Sequence, residues 1–193
     1  MIIKLINFLT ALRILLAAVI SLLLIFGDGY LLALSLFFFA GLTDYLDGYF
    51  ARKYNATSEI GEILDPIADK ILVVFILIIL SVNLHSFLLA FSSALIISRE
   101  IWVSALRDFS ARKNILKATK VTYLAKLKTV LQMVAISILL TGETGNKIIS
   151  FQDYNAQTIG IILLWLSAFL TLYTGYDYLR KGIDHAINED SKD

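Results

Sequence analysis

Cysteine is absent from this chain of 193 residues, and proline and histidine are rare. Without cysteine the chain has no disulfide, no thiolate metal site and no cysteine nucleophile. The two histidines, His85 and His185, are too few and too far apart for a histidine-based metal cluster. The single proline, Pro66, favours long uninterrupted helices joined by short connections.

Charged residues are also scarce, at 17% of the chain against roughly 25% in an average soluble domain. Hydrophobic residues make up 58%, which is more apolar surface than a water-soluble domain of this size can bury. The composition therefore argues against a soluble globular enzyme, and it excludes a disordered chain or a coiled coil. The length allows one domain, which we expect to cover residues 1–193.

Six stretches of about 20 mostly apolar residues have the length that a membrane-spanning helix requires. They cover residues 7–27, 30–51, 63–82, 86–108, 123–142 and 155–177. We expect a short interfacial segment over residues 1–6 and a polar tail over residues 182–193. The sequence thus predicts an all-α integral membrane protein with six transmembrane helices.

Lysine and arginine are distributed unevenly between the two ends of these predicted helices. With six spans, 16 of the 17 basic residues fall on the side that carries both termini, and Lys147 alone falls on the other. An excess of basic residues marks the cytoplasmic side of a membrane protein. We therefore expect both termini in the cytoplasm, a location in the cell membrane, and no nucleic-acid partner.

Ionisable residues within the predicted spans are candidates for a functional site, because a charge at membrane depth is energetically costly. All of them lie toward the predicted cytoplasmic ends of five helices. They are Arg13, Asp44, Asp47, Asp65, Asp69, Arg99, Glu100, Arg107, Lys126 and Lys128. This shared depth predicts a polar active-site cavity that opens to the cytosol.

Four of these residues are aspartates in two helical pairs. Asp44 and Asp47 are three residues apart, and Asp65 and Asp69 are four apart, so each pair shares a helix face. The short link between the pairs predicts that their helices are antiparallel neighbours. Four facing carboxylates would repel each other unless cations compensated them. Two divalent ions would do so, and all-oxygen ligands favour Mg²⁺ or Mn²⁺ over zinc.

Small residues accompany the four aspartates at helical spacing. Gly48 follows Asp44 by one turn, and Gly61 precedes Asp65 by one turn, while Ala51 follows the first pair. They leave a gap on the acidic face through which a bulky ligand can approach the backbone. Any single aspartate could instead cap a helix or pair with a nearby base such as Arg52 or Lys70, but the full set favours a metal site.

The same positions carry a resemblance to a known family. The pattern D-x2-D-G-x2-A-R-x8-G-x3-D-x3-D, from Asp44 to Asp69, resembles the signature of the CDP-alcohol phosphatidyltransferases at all eight positions. The resemblance implies that the four aspartates bind two divalent ions, which hold the diphosphate of a CDP-linked lipid. It also implies that Asp69 deprotonates the acceptor alcohol. The residues it assigns to the nucleotide are Thr10, Arg13, Gly48, Ala51, Arg52 and Gly61.

Three further segments resemble the members of this family that take glycerol 3-phosphate as acceptor. They are residues 7–13, 98–108 and 125–133, with Ala125 where those members usually have glycine. A phosphate dianion needs fixed cations, and the candidates are Arg99, Arg107, Lys126 and Lys128. Arg107, Lys126 and Lys128 could instead be ordinary cytoplasmic-side cations that anchor lipid phosphates, and Arg99 could form a structural pair with Glu100.

The resemblance therefore implies phosphatidyl transfer from CDP-diacylglycerol to the primary hydroxyl of sn-glycerol 3-phosphate, with release of CMP. It also implies a homodimer among membrane lipids. Two alternatives stay open at this point. The acceptor could be inositol phosphate or phosphatidylglycerol, or the aspartates could form the transport site of a divalent-cation transporter.

Overall fold

A computed structural model describes residues 2–27, 29–54, 59–112, 123–143 and 156–190. Over these ranges almost every residue is helical, which confirms the all-α prediction. The helices are α1 (Ile2–Phe26), α2 (Tyr30–Tyr54), α3 (Glu59–Asn83), α4 (Phe87–Arg112), α5 (Tyr123–Glu143) and α6 (Ala156–Asp190). Each of the six predicted stretches lies on one of them.

Four of these helices contain an apolar stretch long enough to cross a membrane, as expected for a multi-pass membrane protein. The stretches are Ile6–Phe26, Tyr30–Phe50, Phe87–Leu106 and Ala156–Tyr176. Among the described residues, α3 and α5 contain shorter apolar stretches, Lys70–Asn83 and Leu127–Gly142.

Helix boundaries differ from the prediction at the two ends of the chain. α1 begins at Ile2, so residues 2–6 continue the first helix instead of forming a separate segment. α6 continues to Asp190, well beyond residue 177 and through most of the polar tail. Apolar periodicity reports only the part of a helix that lies in lipid, so a polar extension gives no such signal.

A polar turn joins α3 to α4 and also ties the first three helices together. The Asn83 side-chain amide donates to the Leu24 carbonyl oxygen and to the Tyr30 hydroxyl, both at 2.8 Å. His85 adopts a positive φ of 46° in the turn, and the Ser86 hydroxyl caps α4 by accepting from the Leu89 N–H. This end of the bundle is therefore held by polar contacts.

The helices pack around α1 on one side and α6 on the other. In the part of the chain that the structure describes, α1 packs against both α2 and α3, whereas α2 and α3 share no comparable contact of their own. The prediction that α2 and α3 are direct neighbours is therefore wrong for these residues, because α1 lies between them. α6 packs most extensively against α5 and also contacts α4, which in turn contacts α3.

Candidate active site

Three aspartates from α2 and α3 face polar side chains of α1, and we call Asp44, Asp47 and Asp65 the acid cluster. Arg13 is buried and extends its guanidinium to two of them, with Nη1 at 2.9 Å from Asp44 Oδ1 and Nη2 donating to Asp47 Oδ2. The Asp44 side chain is 50% exposed, whereas Asp47 is buried. One cation thus bridges the two aspartates of α2.

The third aspartate has its own partner on α1. The Thr10 hydroxyl donates to Asp65 Oδ1 at 2.6 Å, and Thr10 is buried. Thr10 and Arg13 are three residues apart, so they lie on one face of α1. This face supplies a hydrogen-bond donor to each member of the acid cluster. The sequence associated Thr10 and Arg13 with the nucleotide, and it offered Arg52 or Lys70 as partners of the acids.

The donors of the acid cluster suit a hard divalent cation. All are carboxylate oxygens, the ligand type that Mg²⁺ and Mn²⁺ prefer. Asp47 lies within electrostatic reach of both Asp44 and Asp65, so their negative charges act on one region. Among the described side chains, no three acidic or histidine groups converge on a single point. The fourth aspartate of the motif, Asp69, lies on α3, but its side chain is outside the described part.

The other motif positions are only partly described. Gly61 is buried in α3 and Gly48 is half-buried in α2. Ala51 and Arg52 belong to the last turn of α2, and their side chains are outside the described residues. The small residues of the motif therefore lie on the same two helices as the acid cluster, as their spacing predicted.

A second group of charged residues lies on α3, α4 and α5, and we call Lys70, Arg99, Glu100 and Lys128 the basic cluster. Glu100 Oε1 accepts from Arg99 Nη1 at 3.0 Å and from Lys128 Nζ at 2.5 Å. The structure thus brings together two of the four cations proposed from sequence. Arg107 and Lys126 lie on α4 and α5, but their side chains are not among those described.

Lys70 connects the two clusters along α3. It follows Asp69 directly, its ammonium donates to the Ser104 hydroxyl of α4, and its charge acts on Glu100. Sequence reasoning considered Lys70 only as an alternative partner of the aspartates. Its position directly after Asp69 could have excluded that pairing, because adjacent residues of a helix point to different sides. Lys70 therefore faces a different neighbour from the one that the acid cluster faces.

Helix α6 holds Arg99 from the side opposite to Glu100. Arg99 Nε donates to the Thr171 carbonyl oxygen at 3.0 Å, and Arg99 Nη2 donates to Thr174 Oγ1 at 3.1 Å. Lys128 is also tied to α6, because the Ser167 hydroxyl donates to its carbonyl oxygen at 3.0 Å. The sequence did not predict that these α6 residues hold the cations, since an uncharged stretch with scattered hydroxyls is typical of a lipid-facing helix.

Comparison with known proteins decides between an enzyme and a transporter. The sequence profile of the CDP-alcohol phosphatidyltransferases matches residues 4–173, which include α2 to α5 and most of α1 and about half of α6. The chain belongs to this family. It is therefore an enzyme of the CDP-alcohol phosphatidyltransferase type, and the alternative of a cation transporter is wrong.

Several relatives within the family share most of this chain. A protein of Rickettsia typhi is 42% identical over 90% of this chain and 94% of its own length. A protein of Cereibacter sphaeroides is 35% identical over 95% and 97%, and one of Haemophilus influenzae is 38% identical over 75% and 74%. All three are named CDP-diacylglycerol–glycerol-3-phosphate 3-phosphatidyltransferase.

Proposed function

We propose that this phosphatidyltransferase uses CDP-diacylglycerol as donor and sn-glycerol 3-phosphate as acceptor, giving phosphatidylglycerophosphate and CMP. The observation that supports this acceptor is that Arg99 and Lys128 both bind Glu100 Oε1 and so lie next to each other. Both cations are buried, and they come from different helices. A phosphate monoester is close to a dianion at neutral pH, and fixed cations of this kind suit it. The names of the relatives support the same acceptor.

The residues have distinct proposed roles in the reaction. Asp69 takes the proton of the acceptor hydroxyl, whose oxygen bonds to the phosphatidyl phosphorus while the bond to CMP breaks. The acceptor phosphate is held by Arg99 and Lys128, with Arg107 and Lys126 as further cations. Residues Thr10, Arg13, Gly48, Ala51, Arg52 and Gly61 accommodate the CDP part. Thr10 and Arg13 contribute by orienting the acid cluster.

Enzymes of this family use a divalent metal ion. We propose two Mg²⁺ or Mn²⁺ ions, held by Asp44, Asp47, Asp65 and Asp69. When bound, such ions neutralise the diphosphate and stabilise the leaving oxygen. The donor chemistry supports this proposal, because the acid cluster presents only carboxylate oxygens and Asp47 lies within electrostatic reach of Asp44 and Asp65.

The proposed arrangement in the membrane has all six helices crossing it. Both termini and both clusters then lie at the cytoplasmic side, in a cavity open to the cytosol, and the enzyme forms a homodimer. Support comes from the bias of basic residues toward one side. The aspartates of the acid cluster also lie in the halves of α2 and α3 that are remote from the contact between Tyr30 and Asn83.

An acceptor panel tests the proposed function. Purified protein in detergent is given CDP-diacylglycerol, Mg²⁺ and one acceptor, and the release of CMP is measured. The panel contains glycerol 3-phosphate, inositol phosphate, phosphatidylglycerol and serine. We expect release with glycerol 3-phosphate at the highest kcat/KM. A higher kcat/KM with another alcohol would mean that this alcohol is the acceptor. The transfer chemistry of the family would still hold.

Removal of one metal ligand should nearly abolish turnover. We expect Asp44→Asn or Asp65→Asn to lower kcat by about a hundredfold or more, because one carboxylate fewer weakens both cation sites. EDTA should have the same effect on the wild type, with recovery on addition of Mg²⁺ or Mn²⁺. Asp28→Asn, beyond the other end of α2, is the matched control. Full turnover in a metal-free preparation contradicts the proposal.

Asp69 should differ from the other aspartates if it acts as the base. We expect Asp69→Asn to abolish catalysis but to leave CDP-diacylglycerol binding largely intact, because three carboxylates still hold much of the metal charge. Binding of the nucleotide-lipid in the presence of Mg²⁺ measures the difference from Asp44→Asn. Equal loss of binding in both variants would mean that Asp69 acts mainly as a metal ligand and not as the base.

A further inference from the structure

Among the described residues, three contacts from two helices hold the Arg99 guanidinium. Glu100 on α4 binds Nη1, while the Thr171 carbonyl and the Thr174 hydroxyl of α6 bind Nε and Nη2. A guanidinium is planar, so contacts on three nitrogens determine the plane of the group as well as its position. Because Arg99 is 3% exposed, water does not provide substitutes for these partners.

The Thr174 hydroxyl is arranged to accept from Arg99. Its own proton goes to the Leu170 carbonyl oxygen at 2.9 Å or to the Thr171 carbonyl oxygen at 3.1 Å, both earlier in α6. A hydroxyl has a single proton, so its lone pairs remain available for the Arg99 Nη2 proton. The threonine hydroxyl is therefore held by the backbone of α6 and in turn holds the Arg99 guanidinium.

Glu100 fixes the position of the Lys128 ammonium, as α6 fixes the position of the Arg99 guanidinium. A lysine side chain has a flexible four-carbon stem, and its ammonium needs a partner when it is buried. Glu100 Oε1 provides that partner at 2.5 Å and holds Lys128 next to Arg99. Among the described side chains, and counting Lys70, the basic cluster has three positive charges and one negative charge, a net charge of the sign that a phosphate dianion requires.

We propose that Thr174 and Glu100 are positioning residues for the acceptor, which fix Arg99 and Lys128 as a preformed site for a phosphate monoester. This inference rests on the proposed function, because it assumes that the acceptor carries a phosphate. Preformed cations avoid the ordering cost that flexible side chains incur when a ligand binds. The loss of either positioning residue should therefore appear in the KM of the acceptor.

The experiment compares variants of the full-length protein in detergent, with CMP release measured against each substrate separately. Thr174→Val removes the hydroxyl at nearly constant volume and should raise KM for glycerol 3-phosphate about tenfold. KM for CDP-diacylglycerol should stay within about twofold of the wild-type value. Thr174→Ser restores the hydroxyl and should recover most of the acceptor KM. Glu100→Gln should show the same selective increase as Thr174→Val.

Two further variants separate positioning from general packing. Thr171→Val should change the acceptor KM less than Thr174→Val, because Thr171 holds Arg99 through its main-chain carbonyl. Ser92→Ala removes a buried hydroxyl of α4 that donates to the Leu89 carbonyl in its own helix, and it should change neither KM. Melting temperatures of all variants in detergent identify any loss of folding.

Several outcomes would overturn the inference. They are an equal rise of both KM values in Thr174→Val, a failure of Thr174→Ser to recover the acceptor KM, or a lower acceptor KM in Glu100→Gln. If Thr174→Val does not fold, Glu100→Gln alone decides. If the wild type uses inositol phosphate in place of glycerol 3-phosphate, the proposed acceptor is wrong but the same comparison applies to that phosphate. Use of a phosphate-free acceptor alone rejects the inference.

Discussion

A single buried arginine compensates part of the charge of the acid cluster. Arg13 is 1% exposed and contacts both aspartates of α2, one of which is itself buried. Removal of one partner from a buried ion pair is costly, because the remaining charge is left uncompensated. The stability of the first three helices should therefore depend on Arg13, and a bound divalent ion should replace part of its contribution.

This dependence gives a prediction for Arg13→Gln. We expect the free energy of unfolding in EDTA to fall by about 2–3 kcal/mol, less than for a fully buried pair because Asp44 is half-exposed. Mg²⁺ should raise the melting temperature more in the variant than in the wild type, since it supplies the missing positive charge. Thermal unfolding in detergent, with and without Mg²⁺, measures both effects.

The conservative variant Arg13→Lys is the control for Arg13→Gln. Lysine keeps the charge but lacks the fork that reaches two carboxylates, so its stability should lie between the wild type and Arg13→Gln. If Arg13→Gln and the wild type melt at the same temperature in EDTA, Arg13 does not compensate the acid cluster.

At the scale of residues, the sequence identified which side chains form the acid cluster, but it did not identify the residues that contact them. Spacing alone singled out Asp44, Asp47 and Asp65, because helical periodicity places them on shared faces. It did not reveal that Thr10 pairs with Asp65, 55 positions away. Such a contact depends on how each helix is rotated about its axis against its neighbours, and a pattern within one helix does not determine that rotation.

At the scale of elements, hydropathy located the helices but not all their ends or neighbours. The stretch predicted over residues 30–51 corresponds to Tyr30–Tyr54, and the one over residues 155–177 begins with α6 but stops short of Asp190. The position of α1 between α2 and α3 was not predictable from the short α2–α3 link. Connection length limits how far apart two helices can be, but it does not prevent a third from packing between them.

The turn at Asn83 should stabilise the end of the bundle that lies away from the acid cluster. We expect Asn83→Ala to lower the free energy of unfolding by about 1–3 kcal/mol, because the Leu24 carbonyl and the Tyr30 hydroxyl lose a donor. Turnover should be unchanged, since Asn83 is about 27 Å from Asp65 along α3. Unfolding in detergent and CMP release measure the two quantities.

Tyr30→Phe is the matched comparison for Asn83→Ala. It removes one of the two acceptors and leaves the bond to the Leu24 carbonyl, so it should cost less stability than Asn83→Ala. A loss of turnover in either variant without loss of stability would contradict a purely structural role of this turn.

At the scale of the whole molecule, the absence of cysteine makes the proposed topology directly testable. A single introduced cysteine reports its side of the membrane without background labelling. In intact cells, we expect Lys147→Cys to react with a membrane-impermeant maleimide and Ser191→Cys to react only after permeabilisation. Labelling of both positions from the same side would mean that the number of spans between them is even, and would exclude the proposed arrangement.

Helix α3 has a consequence for how the two substrates influence each other. Asp65 faces α1 through Thr10, and Lys70, little more than one turn later, faces α4 through Ser104. A helix turns as one body, so a rotation that adjusts Asp65 to a nucleotide-lipid also moves Lys70 beside the basic cluster. Any such rotation on binding of one substrate would change the affinity for the other, and the coupling free energy would be the same in both directions. The dissociation constant of each substrate, measured with and without the other, tests whether α3 couples the two sites.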